Sequence, residues 1–164
     1  MRKFIVLAIL LSTMTINGNA QTEKHSLLLG GSATMSINTL NNSYLNLNPN
    51  VGLFVADRFC VGLSTSLVYQ YSIYSGGISP FARYYFGTNK TTSFYLNGSV
   101  GLINLFDAMN TVSNEASSLS VGHVWFLNKS IGLETEIKAS TDFVDVNLGL
   151  YLGFQIYFNK LKMI

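Results

Sequence analysis

Four charged residues interrupt stretches of the sequence that are otherwise apolar or small. Arg83 lies in "FARYYF", and Glu134, Glu136 and Lys138 alternate within "IGLETEIKA". Alternate spacing puts the last three side chains on one face of an extended strand, and charges in a narrow interior must pair or carry a large desolvation cost. The cluster could be an ion-pair gate, a site for a polar ligand, or a structural network that plugs an interior. We predict the plugging network, with Arg83 reaching Glu134 or Glu136.

His123 is the second candidate for chemistry. Nucleophilic catalysis would need a serine within hydrogen-bond reach of this imidazole. In an extended strand the same-face neighbours of His123 are Val121 and Trp125, whereas Ser120 lies on the opposite face. We therefore interpret His123 as an interfacial side chain and predict no catalytic residue and no enzymatic activity.

The asparagine-rich stretch "NNSYLNLNPN", residues 41–50, could bind sugar through its amides. We predict instead that Asn46, Asn48 and Asn50 lie inside and pair with neighbouring polar groups.

The remaining motifs match no known ligand or metal site. Asp107, Glu115, Asp142 and Asp145 match no calcium-binding loop, and His25 is isolated. The paired glycines at 30–31 and 76–77 lack the strand-to-helix context of a phosphate loop. We predict no metal and no cofactor.

These candidates must be positioned by strands, because the sequence alternates with a period of two. In "NLGLYLGFQIYFN", residues 147–159, every second residue from Leu148 to Phe158 is apolar, and glycine, tyrosine or glutamine stands between them. The same alternation recurs along the chain. The eight predicted strands are 27–37, 45–55, 61–71, about 78–87, 92–104, 117–127, 131–139 and 148–158.

The connections between these strands fall into two kinds. Residues 56–59, 87–91 and 128–130 read as tight turns, whereas 38–43, 72–77, 105–116 and 141–146 read as longer polar loops. Short turns at one end and longer loops at the other are typical of an all-β, eight-stranded antiparallel up-and-down transmembrane β-barrel.

The composition decides which face of this barrel is outside. A soluble lipocalin-like barrel would put its apolar face inward and would need a charged exterior. Here the more polar face consists mainly of Gly, Ser, Asn, Thr and Tyr, and charged residues make up 11% of the chain against about 25% in ordinary soluble domains. We predict that the apolar face contacts lipid.

Aromatic residues gather where four strands approach the short turns. They lie in "GLFV", "RYYF", "HVWF" and "QIYF", and amphipathic rings favour the membrane interface. The predicted periplasmic aromatic girdle comprises Phe54, Tyr84, Phe86, Trp125, Phe126, Tyr157 and Phe158.

The N-terminus predicts export. Arg2 and Lys3 precede the apolar run "FIVLAILL", and "GNA" at 18–20 suits cleavage before Gln21. The predicted organisation is a signal peptide at 1–20 and a barrel domain at 21–164.

Without Arg2 and Lys3 the chain carries eight Lys/Arg and eight Asp/Glu, so charge does not indicate nucleic-acid binding. Cys60 is the only cysteine, which excludes an internal disulfide.

The chain resembles the small outer-membrane β-barrel proteins of OmpA/OmpX type, and more closely the PorT-like single-domain barrels of Bacteroidetes. The resemblance rests on "VGLFVADRFCVGLS", "WFLNKSIGLETE" and "LGFQIYF". It implies residence in the bacterial outer membrane, contact with outer-membrane lipids and lipopolysaccharide, and recognition by the outer-membrane assembly machinery. A surface or periplasmic protein partner of unknown identity is also expected.

The expected function is non-enzymatic: a structural, surface-interaction or secretion-associated role. Two alternatives remain at this point, a lipid-modifying outer-membrane enzyme and a narrow pore. An enzyme should have a catalytic pair at one depth, and none is evident. A pore needs a continuous polar lumen, and Phe54, Tyr85, Tyr151 and Tyr157 fall on the inward face.

Overall fold

A computed structural model describes residues 22–36, 44–70, 73–87, 91–101, 103–107, 117–141 and 145–158. Within these ranges no helix is long and apolar enough to cross a membrane. The predicted signal peptide lies outside the described residues.

The described residues form antiparallel β-strands joined into a single sheet. The strands are β1 (Leu27–Ser36), β2 (Tyr44–Ala56), β3 (Phe59–Gln70), β4 (Ile73–Phe86), β5 (Thr92–Val100), β6 (Ile103–Asp107), β7 (Ser117–Phe126), β8 (Ile131–Thr141) and β9 (Val146–Phe158).

The sheet closes on itself because its first and last strands pair with each other, and the pairing of the consecutive strands β3 and β4 completes the ring. β1 pairs with β9 along Leu27↔Phe158, and β3 pairs with β4 along Phe59↔Tyr84. β5 and β6 occupy one position in the ring, because both pair with β4, β5 along its second half and β6 along its first. The result is a closed eight-stranded antiparallel barrel, which confirms the predicted fold class.

Two predicted connections are wrong. The strand expected over 92–104 is divided, because β5 ends at Val100 and β6 runs from Ile103 to Asp107, into the loop expected at 105–116.

Residues 72–77 were expected to form a long connection, but β4 begins at Ile73, and Gln70 pairs directly with Ile73. Only residues 71 and 72 therefore separate β3 from β4. Gly76 and Gly77, which suggested a loop, instead lie within the strand, where the pairing of β4 with β6 shifts register. Glycine inside a strand commonly marks such an irregularity.

The two faces of the strands differ as the alternation predicts. Leucines of β9 lie outward and are exposed, Leu148 by 77% and Leu152 by 62%, whereas Tyr157 of the same strand is buried. Among strand residues whose side chains are described, every Asp, Glu, Lys and Arg points inward: Arg83, Glu134, Glu136 and Lys138, each less than 10% exposed.

Glycines on the inward face make room for the large interior side chains. A Cβ added to Gly122 would overlap the ring of Tyr95, and one added to Gly62 would meet Phe81 and the backbone of β2. An eight-stranded barrel has space only for side chains inside. Its bulky residues are therefore accommodated by the absence of a side chain on the neighbouring strand, since Gly122 pairs with Tyr95 and Gly62 pairs with Phe81.

Candidate functional site in the barrel lumen

An ion pair crosses the middle of the lumen. Arg83 on β4 and Glu134 on β8 are both buried, and Nη1 of Arg83 lies 3.2 Å from Oε2 of Glu134. Gln155 on β9 donates from Nε2 to Oε1 of Glu134 at 2.8 Å. The carboxylate thus has one partner on each oxygen, which offsets the cost of removing it from water.

Tyr95 links this ion pair to the second buried carboxylate. Its hydroxyl donates to Oε2 of Glu136 at 2.9 Å, and the guanidinium carbon of Arg83 lies 4.1 Å from its ring centroid. The ring quadrupole attracts the cation. Tyr95 therefore stabilises Arg83 in addition to the ion pair with Glu134. Lys138 approaches a different ring, with Nζ 4.7 Å from the centroid of Tyr151.

The end of the lumen near the short turns is filled with aromatic and apolar side chains. Phe54 lies 5.6 Å from Tyr85 and 6.3 Å from Tyr157, measured between ring centroids. These three rings are essentially inaccessible to solvent, as are Leu28 and Val124. The hydroxyls of Tyr85 and Tyr157 lie 3.4 Å apart, so their polar ends satisfy one another. This aromatic base closes the barrel below the ion pair.

The other half of the lumen is lined by hydroxyl and amide groups. It contains a cavity of about 40 Å³, bordered by side chains that include Ser64, Ser79, Asn97 and Ser99, with Arg83 at its floor. The lumen is therefore graded along its axis, with an apolar base, a charged middle layer and a polar outer half.

Three asparagines of β2 were expected to lie inside and to pair with neighbouring polar groups. Asn46 is buried, and its Oδ1 accepts a hydrogen bond from Ser66 at 3.3 Å. The Nδ2 of Asn48 and the Oδ1 of Asn50, by contrast, are buried without a hydrogen-bond partner in the protein.

The predicted aromatic girdle is partly wrong. Tyr84, Phe86, Trp125 and Phe158 are exposed on the outer surface by 41–48%. Phe54 and Tyr157 are instead buried in the aromatic base, and Phe126 packs against that base beside Tyr157. The prediction used only the position of these residues along the strand, whereas alternation places those three on the inward face.

His123 lies on the outer surface in an aromatic cluster. Its ring centroid is 4.5 Å from that of Phe94 and 4.2 Å from that of Trp125. No described hydroxyl, thiol or carboxylate contacts the imidazole, so the geometry offers no activated nucleophile. The described residues also contain no cluster of three or more His, Cys, Asp or Glu that could hold a metal ion.

Sequence reasoning missed two members of the lumen network. Gln155 and Tyr95 both fall on the inward face, so alternation could have named them as interior residues. Their contacts could not be read from the sequence, because they depend on how far opposite walls are staggered around the closed barrel.

Similar solved structures share this barrel. The N-terminal β-barrel domain of OprF from Pseudomonas aeruginosa superposes with a TM-score of 0.62 at 13% identity, covering 82% of this chain and 98% of that domain. A de novo designed transmembrane β-barrel superposes with a TM-score of 0.57 at 11% identity, covering 84% and 98%. These likenesses establish the fold class. No protein-family model matches the sequence, and no curated protein matches it.

Proposed function

We propose that this chain is an integral outer-membrane β-barrel with a sealed lumen and a non-enzymatic, structural, surface-interaction or secretion-associated role. The observation that carries the proposal is the segregation of its side chains. In the described strands the outward face has no Asp, Glu, Lys or Arg and a nearly continuous apolar surface.

This apolar surface suits lipid rather than water. Soluble monomers rarely expose contiguous apolar patches larger than a few hundred Å², yet here Leu, Val, Phe and Ile are exposed on strands around the barrel. Transfer of such surface from water to hydrocarbon contributes about 25 cal/mol per Å². Closed pairing around the ring also satisfies the backbone, which a bilayer requires.

The proposed location is supported by the signal peptide predicted at 1–20 and by the outward apolar face, and the proposed partners by the resemblance to small outer-membrane barrels. The tight turns predicted at 56–59, 87–91 and 128–130 would face the periplasm, and the connections at the other end of the barrel would face the outside. Outer-membrane lipids, lipopolysaccharide and the outer-membrane assembly machinery would be its general partners, beside a surface or periplasmic protein of unknown identity. The sequence units that resemble PorT-like barrels support membership of that small-barrel group.

The packing of side chains inside the lumen supports a closed barrel rather than a conducting pore. An ion entering the polar half would meet the Arg83–Glu134 pair and then the rings of Phe54, Tyr85 and Tyr157, which leave no polar path. The lipid-modifying enzyme has less support, because the His123 cluster consists of aromatic rings.

Planar-bilayer recording tests the sealed lumen. We expect no steady conductance from purified native barrel and brief, irregular openings from Arg83→Ala, because that change removes the side chain that bridges Glu134 and the ring of Tyr95 across the lumen. Bilayers with detergent alone supply the baseline. A steady, ion-selective current through the native protein would contradict the sealed barrel and support the narrow pore.

A further inference from the structure

The polar cavity in the outer half of the lumen contains buried groups that no protein atom satisfies. Two are donors, Nδ2 of Asn48 and Nε of Arg83, and two are acceptors, Oδ1 of Asn50 and Oδ1 of Asn97. All four residues border the cavity, and Arg83 and Asn97 are more than nine-tenths buried. Buried polar groups are rarely left unpaired, so the cavity is built for an occupant that both donates and accepts hydrogen bonds.

The charges around the cavity indicate a neutral occupant. Arg83 and Lys138 supply two positive charges, and Glu134 and Glu136 supply two negative charges, all on buried inward-facing side chains. These charges balance. A carboxylate or ammonium entering the cavity would add an uncompensated buried charge, which is costly.

The volume and the lining residues of the cavity further limit the class of ligand that it can bind. One water molecule needs about 10–15 Å³ of such space, so a cavity of about 40 Å³ holds roughly three water-sized groups. Hydroxyls and amides form most of its wall, and Phe81 adds an apolar surface that suits C–H groups. We propose that this cavity is a binding site for a small neutral polyol, or for the polyol end of a larger molecule, of about three hydroxyl-bearing carbons.

The fold leaves this site accessible from one end of the lumen only. The aromatic base of Phe54, Tyr85 and Tyr157 closes the lumen below the charged layer, so a ligand must enter and leave from the half away from the short turns. The site would therefore capture a solute from that side and would not conduct it across the barrel.

An NMR titration with glycerol tests this proposal. The full chain after signal cleavage, labelled with ¹⁵N, is held in a detergent without a sugar head group, so that the detergent does not compete. We expect saturable amide shifts confined to cavity residues such as Ser64, Ser79 and Ser99, and no saturation with acetate or ethylammonium as charged probes.

Two asparagine variants of β2 provide the matched comparison. Asn50→Leu removes a cavity acceptor at similar side-chain size and should weaken glycerol binding about tenfold, the loss of roughly one hydrogen bond. Asn46→Leu makes the same chemical change on the same face of the same strand, but Asn46 does not border the cavity and touches it only through its partner Ser66, so binding should change much less than in Asn50→Leu. Asn48→Leu serves as a second cavity variant if Asn50→Leu does not fold.

Four outcomes would overturn the proposal. Shifts that rise linearly with glycerol would mean a solvent effect, and equal binding in both variants would place the ligand elsewhere. Tighter saturable binding of acetate or ethylammonium would contradict the neutral site. A cavity that exchanges water alone would likewise exclude a polyol.

Discussion

Replacing Arg83 by methionine is expected to lower the free energy of unfolding by about 3–5 kcal/mol, the typical cost of leaving one buried charge without its partner. Methionine keeps the length of the side chain and removes its charge. Glu134 would then keep the amide of Gln155 but lose its positively charged partner. Urea unfolding in lipid vesicles, followed by the different gel mobility of folded and unfolded barrel, measures the change.

A double variant separates the lost charge pair from lost packing. Arg83→Met combined with Glu134→Gln removes both charges of the pair, so most of the lost stability should return. If the double variant is as unstable as Arg83→Met alone, the loss would come from packing against Tyr95 and Phe81 rather than from an unpaired carboxylate.

Gly122→Ala is expected to destabilise the barrel by about 1–3 kcal/mol, the usual cost of overpacking a filled interior. The added methyl group would overlap the ring of Tyr95. That ring has little freedom to move, because its hydroxyl bonds to Glu136 and its face contacts Arg83. The same urea unfolding measures the effect.

Gly98→Ala is the matched control. Gly98 lies in β5, beside β7, and the nearest atom to an added Cβ is the carbonyl oxygen of Ser118 at 4.0 Å. Alanine should leave stability unchanged or raise it by about 0.5–1 kcal/mol through reduced chain entropy. Equal destabilisation at both positions would mean that glycine is needed for the backbone and not for the space beside Tyr95.

The sequence predicted the barrel and its two faces because a period of two leaves each side chain only two directions. Arg83, Glu134 and Phe158 could be assigned in this way, each from its parity within one strand. The sequence-based predictions failed where one residue type, here glycine, occurs both in loops and within strands. In the sequence, the pair Gly76 and Gly77 predicts a loop. In the folded barrel these small residues lie within strand β4.

Contacts across the lumen could not be predicted from the sequence, because they depend on the geometry of the closed barrel. Parity shows that Arg83, Glu134 and Glu136 all point inward, but the stagger between β4 and β8 determines which carboxylate lies beside the guanidinium. The unpaired amide atoms of Asn48 and Asn50 are similarly a property of the closed ring. Each strand alone is compatible with many partners.

The central claim is that the outer apolar face of the barrel contacts lipid, and Trp125 reports on it directly. It is the only tryptophan in the chain and is 45% exposed on the outer face near the short turns. The measurement is its fluorescence in vesicles of lipids brominated at defined depths along the acyl chain, compared with quenching by aqueous acrylamide. We predict strong quenching by brominated lipid, greater for bromine near the head group than near the bilayer centre, and weak quenching by acrylamide. Strong quenching by acrylamide with none by brominated lipid would contradict the claim and place this face in water.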